Sequence, residues 1–116
     1  MKIRKLWAFA AAVLLSGCLS SGLAREASYA PGVYEGSGQG YRGVIRVRLQ
    51  VGAAGIEDIA IVSHRESAFP GAAAMEELLE EVLMYGSADL DNISGATFSS
   101  RGFLEAVEDA LRRARR

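Results

Sequence analysis

Gly38-Gln39-Gly40-Tyr41-Arg42-Gly43-Val44-Ile45-Arg46-Val47-Arg48-Leu49-Gln50-Val51 decides the fold. Its first six residues match the dinucleotide pattern G-x-G-x-x-G. That pattern carries meaning only where a strand precedes it and a helix follows to receive a pyrophosphate at its N-terminus. No helix follows here. Ile45, Val47, Leu49 and Val51 alternate with Arg46, Arg48 and Gln50, the period of a strand with one buried face. The glycines therefore belong to a loop that feeds a strand, and a Rossmann sheet is excluded.

The flanking sequence extends this reading. Val33-Tyr34-Glu35-Gly36 is a short strand candidate before the loop Gly36–Gly43, which has glycine at four of its eight positions. Gly52-Ala53-Ala54-Gly55 makes a turn, and the β-rich run from Ile56 to His64 completes an antiparallel hairpin. After Pro70-Gly71, Met75, Leu78, Leu79, Val82 and Leu83 recur at helical spacing, with Glu76, Glu77, Glu80 and Glu81 on the opposite face. Gly86 ends that helix. A second helix is expected from near Ser99 or Ser100, either of which could cap it. Its apolar stripe is Phe103, Val107, Ala110, Leu111 and Ala114. Arg112, Arg113, Arg115 and Arg116 lie at its C-terminal end, where the helix dipole favours cations. The acidic face and the arginines read as solvated surface. The order β-β-β-α-α predicts an α+β fold, a small antiparallel sheet with two helices packed on one face.

The first thirty residues read as export and tethering. Met1-Lys2-Ile3-Arg4-Lys5 is basic, and Leu6 to Leu15 is an uncharged apolar run of ten residues. A mature membrane span needs roughly 20, so the run reads as a signal peptide. Leu15-Ser16-Gly17-Cys18 resembles a bacterial lipobox, which predicts cleavage after residue 17 and acylation of Cys18. Cys18 is the single cysteine, so no intrachain disulfide forms. Residues 18–30 read as a flexible tether and residues 31–116 as one small domain, too short for a second core. Loss of Lys2, Arg4 and Lys5 takes 13 basic residues to 10 against 14 acidic. A mildly acidic chain with no basic stripe does not suit nucleic acid. No nucleophile–base pair or metal-ligand cluster stands out, so neither a catalytic nor a metal site is assigned.

Asp91-Asn92-Ile93-Ser94-Gly95-Ala96-Thr97 lies directly before the second helix. Gly95 allows a tight turn, and Thr97, Ser99 and Ser100 bring hydroxyls to the free N–H groups of a helix terminus, where an anion such as phosphate is favoured. Ser94, Thr97 and Ser99 would also serve to make a plain turn and cap the helix.

The heptapeptide resembles the flavinylation motif of the FMN-binding domain family, Asp-x-x-Ser/Thr-Gly-Ala-Thr/Ser. Gly32-Val33-Tyr34-Glu35-Gly36, Gly40-Tyr41-Arg42-Gly43 and His64-Arg65-Glu66-Ser67 resemble other family segments, with Ser67 in place of the usual Thr. The resemblance covers about residues 31 to 115. It implies that Thr97 carries FMN through a phosphoester. It also implies that Asp91, Ser94, Gly95 and Ala96 are read by a flavin transferase that uses FAD as donor and needs Mg²⁺. Ser94 and Ser99 would hydrogen-bond the phosphate, His64, Glu66 and Ser67 would lie near the flavin, and Tyr34, Tyr41 and Phe98 could flank its ring. Outside the cytoplasm a reversibly bound cofactor is lost when free ligand is scarce, and an ester removes that equilibrium. The expected protein is a lipid-anchored flavoprotein on the extracytoplasmic face of a bacterial membrane, relaying electrons between membrane redox proteins. The alternatives are a module that holds FMN or another phosphate ligand non-covalently, and a structural envelope lipoprotein.

Overall fold

A computed structural model describes residues 29–116. The signal peptide, Cys18 and most of the tether lie outside the described residues. Three strands, β1 (Gly32–Gln39), β2 (Val44–Gly52) and β3 (Gly55–Ser63), form an antiparallel sheet in the order β1-β2-β3. A turn over Ala68–Ala72, with Phe69 extended and a cis peptide bond before Pro70, leads into α1 (Ala73–Tyr85), and α2 (Thr97–Ala114) follows. The α+β architecture is as the sequence predicts. Among the described residues no helix is long and apolar enough to cross a membrane.

The alternation in β2 sets the layers. Ile45, Val47, Leu49 and Val51 are buried, and Arg46, Arg48 and Gln50 are exposed. Each fully buried aliphatic side chain contributes about 1.5–3 kcal/mol. Against this face pack Met75, Leu78 and Val82 of α1 and Phe103, Val107, Ala110 and Leu111 of α2. On the open face Arg48 meets its cross-strand neighbour Glu35 at 3.2 Å. Gly86 closes α1 in the left-handed region at φ 68°.

β1 differs from its expected form. It runs eight residues rather than four, and Gly38 stands inside the strand rather than in the loop. The cause is the close seating of α2. A Cβ on Gly36 would meet the Ala106 carbonyl and Ala110 amide, and one on Gly38 would meet the Gly102 carbonyl and Ala106 amide. From the helix side, a Cβ on Gly102 would lie 2.7 Å from Gly40 Cα. Strand and helix thus touch backbone to backbone. Asp109 of α2 reaches past the edge of β1 and accepts the Ser37 N–H at 3.0 Å, while also binding Arg112 at 2.8 Å and Arg113 at 3.3 Å. Two of the C-terminal arginines are therefore paired within their own helix. At the other end, the Ala30 N–H donates to the Ala114 carbonyl at 2.8 Å and Tyr29 bridges to Arg115. The ordered domain thus includes the last two residues assigned to the tether.

Candidate functional site

Beyond β3 the chain turns inward at Glu66. His64 is exposed, and its Nδ1 accepts the Glu66 N–H at 3.0 Å. Glu66 is only 7% exposed. Its Oε1 accepts the Tyr41 N–H at 3.0 Å and the Ser99 hydroxyl at 2.5 Å, and its Oε2 accepts the Arg42 N–H at 3.0 Å. One carboxylate therefore joins the β1–β2 loop, the β3–α1 connection and the first turn of α2. Gly71 leaves room for it, since a Cβ there would come within 3.0 Å of both Glu66 Cβ and Ser99 Oγ.

Burial is the largest single influence on the Glu66 carboxyl and pushes its pKa up. The Ser99 hydroxyl, the Arg42 and Tyr41 amides and nearby His64 together outweigh burial and hold it below the ordinary value of 4.5. A carboxyl depressed in the folded state stabilises fully above its unfolded pKa and loses that contribution as pH falls through the folded one. Acid should therefore weaken the clamp below about pH 4.5. Between pH 7 and pH 3 the urea midpoint of the wild type is expected to fall further than that of Glu66→Gln. Equal falls would show that the carboxylate contributes nothing to acid sensitivity.

The second half of the site is the start of α2. Gly95 sits at φ 86°, which favours glycine. The Ala96 N–H donates to the Ile93 carbonyl at 3.0 Å, and α2 begins at Thr97. This is two residues earlier than the sequence suggested, and neither Ser99 nor Ser100 caps the helix. Both are buried in its first turn, where Ser99 donates to Glu66 and Ser100 Oγ accepts the Ile93 N–H at 3.0 Å. The helix has no side-chain cap, so the turn-and-cap alternative for Ser94, Thr97 and Ser99 lacks its hydrogen bond. With its proton engaged by Glu66, Ser99 is not placed to donate to a phosphate.

Between these halves lies a cavity of about 180 Å³. Glu66, Ser67, Gly95, Ala96, Thr97 and Ser99 line it, together with Tyr41, Phe98, Pro70 and Gly71. Asp91 and Ser94 are exposed on the approach to α2, and they and His64 stand outside the lining. Tyr41 and Phe98 are 72% and 54% exposed, and their ring centroids lie 6.0 Å apart. Arg101 sits over the Phe98 ring at 5.2 Å. Tyr34 does not join them, because its hydroxyl donates to the Ala30 carbonyl at 2.8 Å and its ring packs on the core. Pro70 and Gly71 escaped the sequence reading. Their turn-forming pair is visible in the sequence, but it signals only the lead into a helix.

Uncapped amides beside an exposed hydroxyl suit a phosphate, and an exposed aromatic pair at the rim suits a planar ring. The domain is thus of the kind that holds a phosphorylated aromatic cofactor. The model of the FMN-binding domain family matches residues 40–112, and the chain belongs to that family. The match begins at the β1–β2 loop and contains every residue of the cavity. An uncharacterized protein of Treponema pallidum (strain Nichols) is 32% identical over 80 residues, which is 69% of this chain and 22% of that protein. The chain therefore spans about a fifth of the length of that relative.

Proposed function

We propose that this FMN-binding domain carries its flavin covalently, through a phosphoester to Thr97, and relays electrons as a lipid-anchored protein of the bacterial envelope. The observation that carries the reading is the state of the hydroxyls around the start of α2. Ser99 and Ser100 are buried and engaged. Ser94 is exposed but stands outside the cavity lining. Thr97 combines exposure, a place in the lining and the uncapped first turn of a helix. A phosphate on Thr97 would gain about 0.3–1 kcal/mol of charge–dipole interaction, opposed in part by the Glu66 carboxylate in the same lining.

Each group has a separate task. The first-turn amides of α2 would hold the phosphate, and Tyr41 and Phe98 would flank the ring. FMN supplies the electron-carrying chemistry, while the chain sets its position and surroundings. Asp91, Asn92 and Ser94 are exposed and open to a flavin transferase that takes FMN from FAD with Mg²⁺. Acylation of Cys18 would hold the domain beside membrane redox proteins, each buried methylene contributing about 0.8 kcal/mol.

Co-expression with a flavin transferase tests the reading. The expected product is yellow protein whose colour survives acid precipitation, with the mass of FMN on Thr97 and acyl chains on Cys18. Flavin released on denaturation would instead identify a non-covalent FMN module. Colourless, unmodified protein would overturn the redox function.

A further inference from the structure

Among the described residues the Glu66 carboxylate has no lysine or arginine partner, and His64 is the one neighbouring side chain whose charge acts on it, the least of the influences there. Glu66 is nonetheless buried and lines the cavity. Its partners are two backbone N–H groups and one hydroxyl, which are dipoles and leave the net charge in place. A buried charge is costly unless hydrogen bonds satisfy it. A glutamine would fill nearly the same volume without that charge. The surroundings are also fitted to a carboxylate. The Tyr41 and Arg42 amides converge on its two oxygens, and a Cβ on Gly40 would lie 2.9 Å from Oε2.

We propose that Glu66 sets the electrostatics of the cavity, a fixed negative charge that lowers the reduction potential of the flavin held there and makes the protein a donor of low-potential electrons. The inference rests on the proposed attachment at Thr97, which lines the same cavity. An electron entering the ring adds negative charge until a proton follows it. A carboxylate in the wall opposes that charge, and low dielectric beside a buried group strengthens the opposition over its value in water. The Ser99 hydroxyl partly offsets the charge, because its dipole points its proton at Oε1. Charge and hydrogen bond therefore make opposite predictions. Glu66→Gln removes the charge and raises the potential. Ser99→Ala bares the charge and leaves the potential where it was or lower. A purely structural clamp would be loosened by both changes, and both would move the potential the same way.

The test uses wild type, Glu66→Gln and Ser99→Ala, each matured with a flavin transferase. Flavin content is read first, by intact mass and absorbance. The midpoint is then read by dithionite titration against reference dyes at pH 8. The expected result is a positive shift for Glu66→Gln and no shift or a negative one for Ser99→Ala. Loaded protein with an unmoved or lowered midpoint in Glu66→Gln overturns the inference and leaves the attachment standing. A positive shift in Ser99→Ala also overturns it, and that variant decides the matter alone if Glu66→Gln does not fold. Wild type that takes up no flavin overturns the attachment at Thr97, and the inference with it.

Discussion

Thr97→Ala is expected to yield folded protein from which no flavin mass can be recovered after acid precipitation, under conditions in which the wild type is loaded. The expectation separates chemistry from folding because the Thr97 side chain contributes little to the fold. It is exposed and supplies no cap to the helix it begins. Surface substitutions of this kind usually change stability by less than about 0.5 kcal/mol. Thermal melts of the variant should therefore superimpose on those of the wild type while the covalent flavin is lost entirely. Thr97→Ser keeps an oxygen at the same place and should restore attachment. The neighbouring hydroxyls are poor substitutes, because Ser99 and Ser100 are buried and Ser94 lies outside the cavity. FMN mass on the Thr97→Ala protein would move the attachment elsewhere and remove the reason for reading the start of α2 as a phosphate site.

The parts of the molecule that were legible in the sequence are those governed by short-range rules. The period of two from Ile45 to Val51 fixed both the strand and its buried face, and it disposed of the dinucleotide pattern beside it. The spacing of Met75, Leu78 and Val82 placed α1, and Gly86 marked its end. The site motif was visible because its chemistry is local: a glycine turn, a hydroxyl and a helix start within a few residues. What sequence could not supply was the pairing of distant groups. Glu66 lies 33 positions from Ser99 and 25 from Tyr41, and no periodicity relates them. Family resemblance put Glu66 near the flavin without indicating that its carboxylate ties three segments together. The start of α2 was misplaced for the same reason. Ser99 and Ser100 have the composition of caps, but their hydroxyls are engaged by partners the local sequence does not show. Gly38 reads as loop because glycine weakens a strand. Its use appears only when α2 is laid against it.

That packing gives the second large effect. Gly38→Ala and Gly43→Ala change two glycines of the same G-x-G-x-x-G pattern, and local conformation gives no reason to separate them. The structure does. A Cβ on Gly38 meets the Gly102 carbonyl and the Ala106 amide, both backbone, so it must displace α2 as a body. A Cβ on Gly43 meets the Arg65 side chain, with Cδ nearest at 3.3 Å, a flexible exposed chain that can swing away. Overpacking against rigid neighbours costs about 1–3 kcal/mol and sometimes more, and the helix backbone is the least yielding neighbour available. A domain of this size is stabilised by only about 5–15 kcal/mol in total. Gly38→Ala is therefore expected to cost about 3 kcal/mol or more, and Gly43→Ala less than about 1 kcal/mol. The damage should not stop at stability. α2 carries Thr97, Phe98 and Ser99 at its start, so a helix pushed off β1 draws the Ser99 hydroxyl away from Glu66 and opens the cavity between them. Any Gly38→Ala protein that folds should take up less flavin than Gly43→Ala under identical maturation, as read by intact mass. Urea midpoints that coincide for the two variants would mean that α2 can slide along β1 at little cost. Contact between strand and helix backbones would then not be what holds the site in place.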